Sequence, residues 1–276
     1  MIRDKKGCQT IINDMLDASL HLGHRVSRWN PRMKGYIYGQ KNGIHILDSL
    51  QTLSCLQRAC TLVDRAGANA RTLLFVGTKE QARSLLPVGA RHCDGSGFYI
   101  TRRWLGGFLT NWKTMSRSLQ RFARMERVLQ STPLGTDEEG TLVGADSFLR
   151  DNTDGNQSTT PERSYAQEDE EGLVRADIFQ IQKHHARLDR FLCGVKHLRR
   201  RPDLLVIVGQ REEENAVNEC VTLRLPSVTL LDTDCNPLLT PFGIPANDDA
   251  LASLQFVINH LVISFRLGSV RLRPTR

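Results

Sequence analysis

The chain of 276 residues lacks several features that mark large classes of protein. Its seven cysteines are odd in number and include no Cys-x-x-Cys pair, which argues against a disulfide framework or a zinc ribbon and favours a reducing compartment. No apolar run approaches the roughly 18 residues of a membrane span. No apolar signal segment follows Met1, and no organelle presequence is evident. We therefore expect a protein with no membrane partner.

Lysine is also scarce, since 29 of the 37 cationic residues are arginines. Arginine makes planar, bidentate contacts with phosphate and stacks on bases. The formal net charge of +7 favours a polyanionic partner. Residues 131–176 hold eleven acids and only three arginines, so the rest of the chain is more basic than the whole. This balance favours nucleic acid as a partner, although a soluble basic protein without such a partner would also fit it.

Apolar strands alternate with helices along most of the chain. The pattern predicts strands at 44–47, 73–76, 98–100, 204–208 and 228–231. It predicts helices at 9–20, 50–65, 80–92, 111–130, 178–198, 212–224 and 248–267. Such alternation is typical of a parallel sheet with helices on both faces.

The segment 131–176 interrupts this alternation. It is rich in Gly, Ser, Thr, Asp and Glu and cannot bury enough apolar surface to fold alone, so we expect an acidic, largely disordered insertion. The helices on either side of it can pair as an antiparallel hairpin. We therefore predict a discontinuous α/β domain at 1–110 and 202–276, and a helical hairpin at 111–201 that carries the insertion.

One stretch, residues 102–113 (RRWLGGFLTNWK), combines three cations, two indoles and a phenyl ring. It has neither helical nor strand periodicity and reads as a loop, in which the Gly-Gly pair permits a tight turn or a close approach to a partner. Interleaved arginine and tryptophan suit phosphate contact and base stacking. The alternative is a loop that covers the core and buries its tryptophans.

Other candidate RNA contacts lie in a basic, aromatic patch around Trp29, beside the helix that begins near Glu80, and on the arginine-rich helix at 111–130. A helix amino terminus with a lysine beside it suits one phosphate, although GxxxxGK[ST] is absent. A solvated helix face is the alternative for the arginines of 111–130. The predicted RNA-binding residues are Arg25, Arg28, Trp29, Arg32, Lys34, Lys41, Lys79, Arg102, Arg103, Trp104, Asn111, Lys113, Arg117 and Arg121.

The sequence shows little that suits catalysis. His21 and His24 have a His-x-x-His spacing, but no neighbouring Cys, Asp or Glu completes a metal site. Asp232 and Asp234 could bind Mg²⁺, yet no nucleophile with a base accompanies them. We expect no catalytic residue, metal, cofactor or small-molecule substrate. Two alternatives stay open: a magnesium-dependent phosphoryl-transfer enzyme and a free RNA- or nucleotide-binding regulatory protein.

Six segments resemble, in the right order, motifs of the small-subunit ribosomal protein S-two (S2) family. They are 21–33 (similar to HFGH…RWNPKM), 42–48 (NGIHIIDL), 74–79 (LFVGTK), 102–113 (WLGGMLTN), 232–237 (DTNCDP) and 244–249 (IPxNDD). The chain departs from the family at Asp234, where Asn is usual, and at Cys193, which replaces the Leu of LGGIK. The segment 131–176 departs as well, at the place of the hairpin tip.

The resemblance implies a flavodoxin-like, doubly wound sheet of five parallel strands with a protruding helical hairpin. It implies a structural, non-catalytic constituent of the small ribosomal subunit that binds ribosomal RNA and neighbouring ribosomal proteins at the junction of head and body. Asp234 and the acidic insertion suggest an organellar member. The arginine-rich composition suggests a gene outside an AT-rich organelle genome, so we expect a mitochondrial ribosome in the matrix, with the chloroplast stroma as the alternative.

Overall fold

A computed structural model describes residues 5–131 and 167–272, with side chains described for 9–129 and 180–271. The chain divides into two compact units, one formed by residues 1–116 and 198–276 and the other by residues 117–197. The described helices are α1 (Lys5–Asp17), α2 (Ser49–Ala68), α3 (Glu80–Arg91), α4 (Trp112–Ser131), α5 (Gln167–Leu192), α6 (Glu214–Leu223) and α7 (Leu251–Leu272). The described strands are β1 (Leu22–Arg25), β2 (Ile37–Lys41), β3 (Ile44–Leu47), β4 (Leu73–Val76), β5 (Gly97–Ile100), β6 (Leu204–Ile207), β7 (Ser227–Leu231) and β8 (Phe242–Pro245).

The first unit is built on a five-stranded parallel sheet in the order β5-β4-β6-β7-β8. Every residue of β4 and of β6 is buried. Central strands of a parallel sheet are covered on both faces, which is why these two read as continuous apolar runs rather than as alternating patterns. The doubly wound α/β fold expected from the sequence is confirmed.

Alternate residues of the strands enter the main hydrophobic cluster, among them Phe75 of β4 and Val206 of β6. The same cluster takes in the apolar faces of α2, α3 and α7. The backbones of α2 and α7 touch: a Cβ added at Gly67 would collide with the carbonyl oxygen of Phe265, and one added at Gly268 with the carbonyl oxygen of Asp64. Glycine at both positions thus permits the two helices to pack at backbone distance.

Among the described residues, α7 is the one helix long and apolar enough to cross a membrane by length and composition. The search for apolar runs in the sequence missed it, because polar residues such as Gln255, Asn259 and His260 interrupt the run. Several of its apolar side chains, including Leu254, Leu261 and Phe265, are buried in the main cluster, whereas Ile263 and Val270 are exposed. Packing in the core therefore accounts for the apolar residues on one side of this helix.

A second, three-stranded antiparallel sheet has the order β1-β3-β2. This corrects the predicted role of 44–47, which forms β3 of this small sheet and not a strand of the parallel one. The fifth parallel strand is instead β8, which the sequence analysis missed because Phe-Gly-Ile-Pro contains two residues that are depleted in strands. Pro245 is the last residue of β8, the edge strand of the sheet.

The second unit contains most of α4 and all of α5. The ring of Phe122 stacks on that of His185, with centroids 5.0 Å apart, and Lys196 Nζ lies 2.7 Å from Glu126 Oε1. Antiparallel pairing as a hairpin stays a prediction. The expected acidic insertion lies mostly outside the described residues, but its end, residues 167–176, is helical, which corrects the predicted helix start at 178.

A candidate nucleic-acid interface at the carboxyl edge of the sheet

The carboxyl ends of β4, β6, β7 and β8 lie beside one another. The side of the sheet where the strands end is here called the carboxyl edge, as distinct from the edge strands β5 and β8. Polar residues follow each of these strands, as at the usual ligand edge of a doubly wound fold. They are Lys79 after β4, Arg211 after β6, Asp232 and Asp234 after β7, and Asp248 and Asp249 after β8.

The strand β1 brings His24 to this edge. The backbone N–H of His24 donates to Thr233 Oγ1 at 3.0 Å, and that of Asn30 donates to the carbonyl of Thr233 at 2.8 Å. The contact requires glycine at position 23, because a Cβ there would lie 2.5 Å from Thr233 Cγ2. A segment near the start of the chain is thereby fixed against one that comes more than 200 residues later.

Five side chains form what we call the carboxyl-edge network: His24, Lys79, Asp232, Asp248 and Asp249. His24 Nδ1 lies 3.0 Å from Asp232 Oδ2, and its Nε2 lies 3.3 Å from Asp249 Oδ2. Lys79 Nζ lies 2.6 Å from Asp248 Oδ1 and 2.9 Å from Asp249 Oδ1. Asp232 and Asp248 are only 1% and 2% exposed. Carboxylates buried so deeply need charged partners, and the two cations supply them.

The network shifts the ionisation of its members. The hydrogen bond to Asp232 raises the pKa of His24 to about 9, so its imidazole is protonated at neutral pH. Burial raises the pKa of Asp248 to about 7, with repulsion from Asp232 adding to it and Lys79 opposing it. Burial alone would lower the pKa of Lys79, but its carboxylate partners outweigh that effect and raise it.

The geometry also brings together possible metal ligands that the sequence spacing did not reveal. His24, Asp232 and Asp248 offer ligand atoms that all lie within 4.8 Å of one another. In the protein these atoms already have partners of opposite charge, because Lys79 donates to Asp248 and His24 contacts Asp232. A divalent cation would have to displace the ammonium group of Lys79, so we assign no metal here.

Asp232 and Asp234, the pair considered for Mg²⁺, are used separately. Asp232 faces His24, whereas Asp234 Oδ2 accepts a hydrogen bond from Arg211 Nη1 at 3.1 Å. Asp234 does not belong to the group of potential ligands found among the described residues. The arrangement gives no support to a two-carboxylate magnesium site at this motif.

A cavity of about 680 Å³ opens beside the network. Its lining contains four cationic residues and four acidic residues, together with Ser27, Trp29 and Gln81. One side of Trp29 is occupied by His45, whose ring centroid lies 5.2 Å away. Because its charges balance, this cavity as a whole does not present the excess of cations that a run of phosphates would require.

The loop at 102–113 is organised by a residue that the sequence analysis did not single out, Glu219 of α6. Its carboxylate accepts hydrogen bonds from Trp104 Nε1 at 2.9 Å and from the backbone N–H groups of Gly107, Leu109 and Thr110 at 2.8, 2.8 and 3.0 Å. Burial opposes ionisation of Glu219, but these donors outweigh it and lower its pKa. A lone glutamate on an amphipathic helix gives no sequence signal for such a role.

Two predicted RNA contacts are thereby corrected. Trp104 is 6% exposed and packs on Phe108 with ring centroids 5.1 Å apart, so its indole is not available to stack on a base. The alternative of a buried tryptophan holds for this residue. Lys79 has only 12% of its side chain exposed and is engaged by Asp248 and Asp249, so it does not offer a free cation beside the helix.

The other predicted contacts are accessible. In the first unit the exposed ones are Arg25, Arg28, Arg32, Lys34, Lys41, Arg102, Arg103, Asn111 and Lys113, and Trp29 is half-buried. Arg117 and Arg121 are exposed on α4 within the second unit. Contact of these residues with RNA stays a prediction.

Comparisons with known proteins cover nearly all of the chain. Residues 15–162 and 156–268 match the family model described as "Ribosomal protein S2". "Small ribosomal subunit protein uS2c" of Guillardia theta is 39% identical over 93% of this chain and 93% of its own length. "Small ribosomal subunit protein uS2" of Picosynechococcus sp. is 36% identical over 92% of this chain and 85% of its own length. The uS2c protein of Ostreococcus tauri is 36% identical over 91% of this chain and 93% of its own length.

Proposed function

Because the chain belongs to the ribosomal protein S2 family, we propose that it is a structural constituent of the small ribosomal subunit and acts in translation. The observation that carries this proposal is the extent of the similarity, since the family model reaches from residue 15 to residue 268 and the relatives align over more than nine tenths of the chain. Its partners are then ribosomal RNA and neighbouring small-subunit proteins. The position at the junction of head and body is part of the same proposal.

The exposed cations give this function a physical basis. Arg102 and Arg103 follow β5 in a loop that Glu219 binds further along, through the indole of Trp104 and the backbone N–H groups of Gly107 and Leu109. Exposed arginines on a loop that is anchored to the fold can neutralise phosphates through planar, bidentate contacts. Such contacts position RNA and release counterions, which makes binding weaken as salt rises.

We assign the carboxyl-edge network a structural rather than a catalytic role. Its carboxylates are paired with cations of the chain itself, and Asp232 and Asp248 are almost inaccessible to a substrate. The network joins β1 to the ends of β4, β7 and β8, which places it where it can hold the small antiparallel sheet against the parallel one. Neither the enzyme alternative nor the free regulatory protein gains support from these relatives.

The ribosome in question is, on our proposal, of the chloroplast type. The relatives named uS2c are chloroplast proteins and the others are cyanobacterial, so the expectation of a mitochondrial ribosome is not supported. The arginine-rich composition, which had favoured the mitochondrion, reflects the coding sequence as readily as the compartment. The alternative noted from the sequence, the chloroplast stroma, takes its place.

Sedimentation tests the proposal directly. The tagged protein should travel with small ribosomal subunits of a chloroplast extract in a sucrose gradient at low salt, and should leave them as the salt concentration rises. A parallel gradient of mitochondrial ribosomes from the same cells is the control for compartment. Protein that remains at the top of both gradients at low salt would refute the ribosomal assignment, and protein in the mitochondrial gradient alone would refute the chloroplast one.

A further inference from the structure

The opposite edge of the parallel sheet, here called the amino edge, carries eight exposed arginines that the sequence analysis did not assign. They are Arg65, Arg71, Arg91, Arg199, Arg200, Arg224, Arg266 and Arg271. Strand register explains why they meet. Leu73 of β4 is aligned with Gly97 of β5 and with Leu204 of β6, and Leu205 of β6 is aligned with Ser227 of β7. The segments that lead into these strands therefore end at one edge.

The helices that run back to this edge complete the cluster. Arg271, near the end of α7, lies 2.9 Å from Asp64 near the end of α2, which places both helix ends together. Ser269 of α7 donates to Asp94 in the turn before β5. The amino edge is thus one continuous surface formed by four loops and the carboxyl ends of several helices.

Few acids balance these arginines. The surface contains three aspartates, Asp64, Asp94 and Asp203. Asp203 is shared, since Arg71 Nη1 and Arg200 Nη2 lie 3.7 and 3.5 Å from its two oxygens. Within residues 9–129 and 180–271, no ion pair is formed by Arg65, Arg199 or Arg224. The edge therefore keeps an excess of exposed guanidinium groups.

Helix dipoles explain only part of this concentration. Arginine at a helix carboxyl end is stabilised by the partial negative charge there, which accounts for Arg65, Arg91 and Arg271. Arg71, Arg199 and Arg200 lie in loops, where this effect does not operate. Arginines that cluster on loops repel one another, and a bound polyanion would offset that repulsion.

We propose that the amino edge is a second RNA-binding surface, which holds the phosphate backbone of an RNA segment distinct from the one at the carboxyl edge. The two edges are separated by a four-residue strand, about 13 Å at ~3.3 Å per residue, so no single phosphate can contact both. Exposed guanidinium groups on neighbouring loops suit the closely spaced oxygens of a phosphate backbone. The inference rests on the proposed ribosomal function and extends it to a face that no predicted RNA contact occupies.

Two matched double variants test this surface. Arg199→Gln with Arg200→Gln alters the amino edge, and Arg102→Gln with Arg103→Gln alters the loop at the carboxyl edge. Each replaces two adjacent, exposed arginines outside regular secondary structure and lowers the net charge by two. The full chain would be bound to small-subunit ribosomal RNA transcribed from a cyanobacterial gene, over a salt series and with hydroxyl-radical footprinting of the RNA.

The expected result is reciprocal. Each double variant should lower the slope of log K against log salt by up to about two phosphate equivalents, and each should lose protection of a different set of nucleotides. Because Arg200 also donates to the carbonyl of Ala70, the pair Arg199→Gln with Arg224→Gln, neither of which forms an ion pair among the described residues, provides a second variant if the first fails to fold.

The outcomes separate the two proposals. An unchanged slope and footprint in a folded amino-edge variant, with a clear effect of the loop variant, would overturn the second surface and leave the ribosomal function in place. Loss of the same nucleotides in both variants would also overturn it, since the surfaces would then not be distinct. If wild-type protein protected no nucleotides at low salt, the proposed function itself would fail.

Discussion

At the carboxyl edge of the parallel sheet Asp232 and Asp248 are almost fully buried and each has a cation against it, whereas at the amino edge eight arginines are exposed around three aspartates. Both edges belong to the same five strands and both are rich in charge. They differ in solvent access, and solvent access determines what a charge can do. A buried, paired charge holds the fold together, while an exposed, unpaired one is available to a partner.

This difference limits what a basic composition can reveal. Lys79 and Arg199 contribute equally to the net charge of +7. Lys79 is 12% exposed and neutralised by two carboxylates, while Arg199 is exposed. Lys79 was predicted from the sequence to contact RNA, whereas Arg199 was not. The net charge therefore indicates the class of partner, but burial determines which of the charged residues can contact that partner.

The largest expected effect comes from removing Lys79. The variant Lys79→Met should lower the free energy of unfolding by about 3–5 kcal/mol, because Asp248 would stay buried without its closest cation. The matched control is Arg71→Met, whose side chain is 55% exposed and which should cost less than about 1 kcal/mol. Urea unfolding of both variants measures the difference, and equal losses would show that burial does not separate the two edges.

Stability should also depend on pH through His24. Its pKa is raised from 6.5 to about 9 in the folded protein, so its contribution is fully present below pH 6.5 and is lost as pH rises towards 9. We expect a loss on the order of 1–2 kcal/mol across this window, reduced by the partial exposure of the ring. Thermal melts from pH 7.5 to 9.5 would detect it, because the raised pKa of Asp248, about 7, affects stability mainly below that range, and His24→Gln is the control that flattens the dependence.

A smaller effect is expected from Trp104→Phe. The ring remains to pack on Phe108, but Glu219 loses the donor at Nε1 and keeps its three backbone donors, which should cost about 1–2 kcal/mol. RNA binding should change little, because Trp104 is buried. Trp112→Phe is the matched control, since Trp112 is not among the described residues that donate a hydrogen bond to Glu219. A strong loss of RNA affinity in a stable Trp104→Phe protein would restore the indole as an RNA contact.

The smallest effect on the free energy of unfolding is expected at an exposed ion pair of the carboxyl edge, which can be compared with the buried pair of Lys79. Arg211 lies at the carboxyl edge but is 65% exposed, and its pair with Asp234 is therefore screened by water. Arg211→Gln should change the free energy of unfolding by no more than about 1 kcal/mol. A cost as large as that of Lys79→Met would mean that position at the edge, and not burial, sets the strength of these pairs.

Parts of the fold could be predicted because their physics is local. β4 and β6 are buried on both faces and read as unbroken apolar runs, and Asp48, directly before α2, caps that helix by accepting from the N–H of Leu50. β8 could not be recognised, since its pairing with β7 supplies stability that Phe-Gly-Ile-Pro does not signal by itself. β3 was recognised as a strand but assigned to the wrong sheet, because a short apolar run does not indicate which strand it pairs with.

The candidate site was harder to predict because it depends on contacts between distant residues. His24 and Asp232 are 208 positions apart, and Trp104 and Glu219 are 115 apart, so no local pattern joins them. The segments that resemble the S2 family nevertheless contain every residue of the carboxyl-edge network. The residues of the carboxyl-edge network come from four of them, 21–33, 74–79, 232–237 and 244–249, so the fold brings these four segments together at one place.

The discontinuity of the first unit has a consequence for synthesis on the ribosome. β4 is made early, but its partner β6 emerges only after all of residues 117–197 have been translated, and β7 and β8 emerge later still. During that interval the backbone N–H and C=O groups of β4 on the β6 side have no strand to pair with. At ~5–20 residues per second this wait lasts several seconds. The nascent chain therefore carries an open strand edge, which is a site for chaperone binding or for misassembly, until its last quarter has been made.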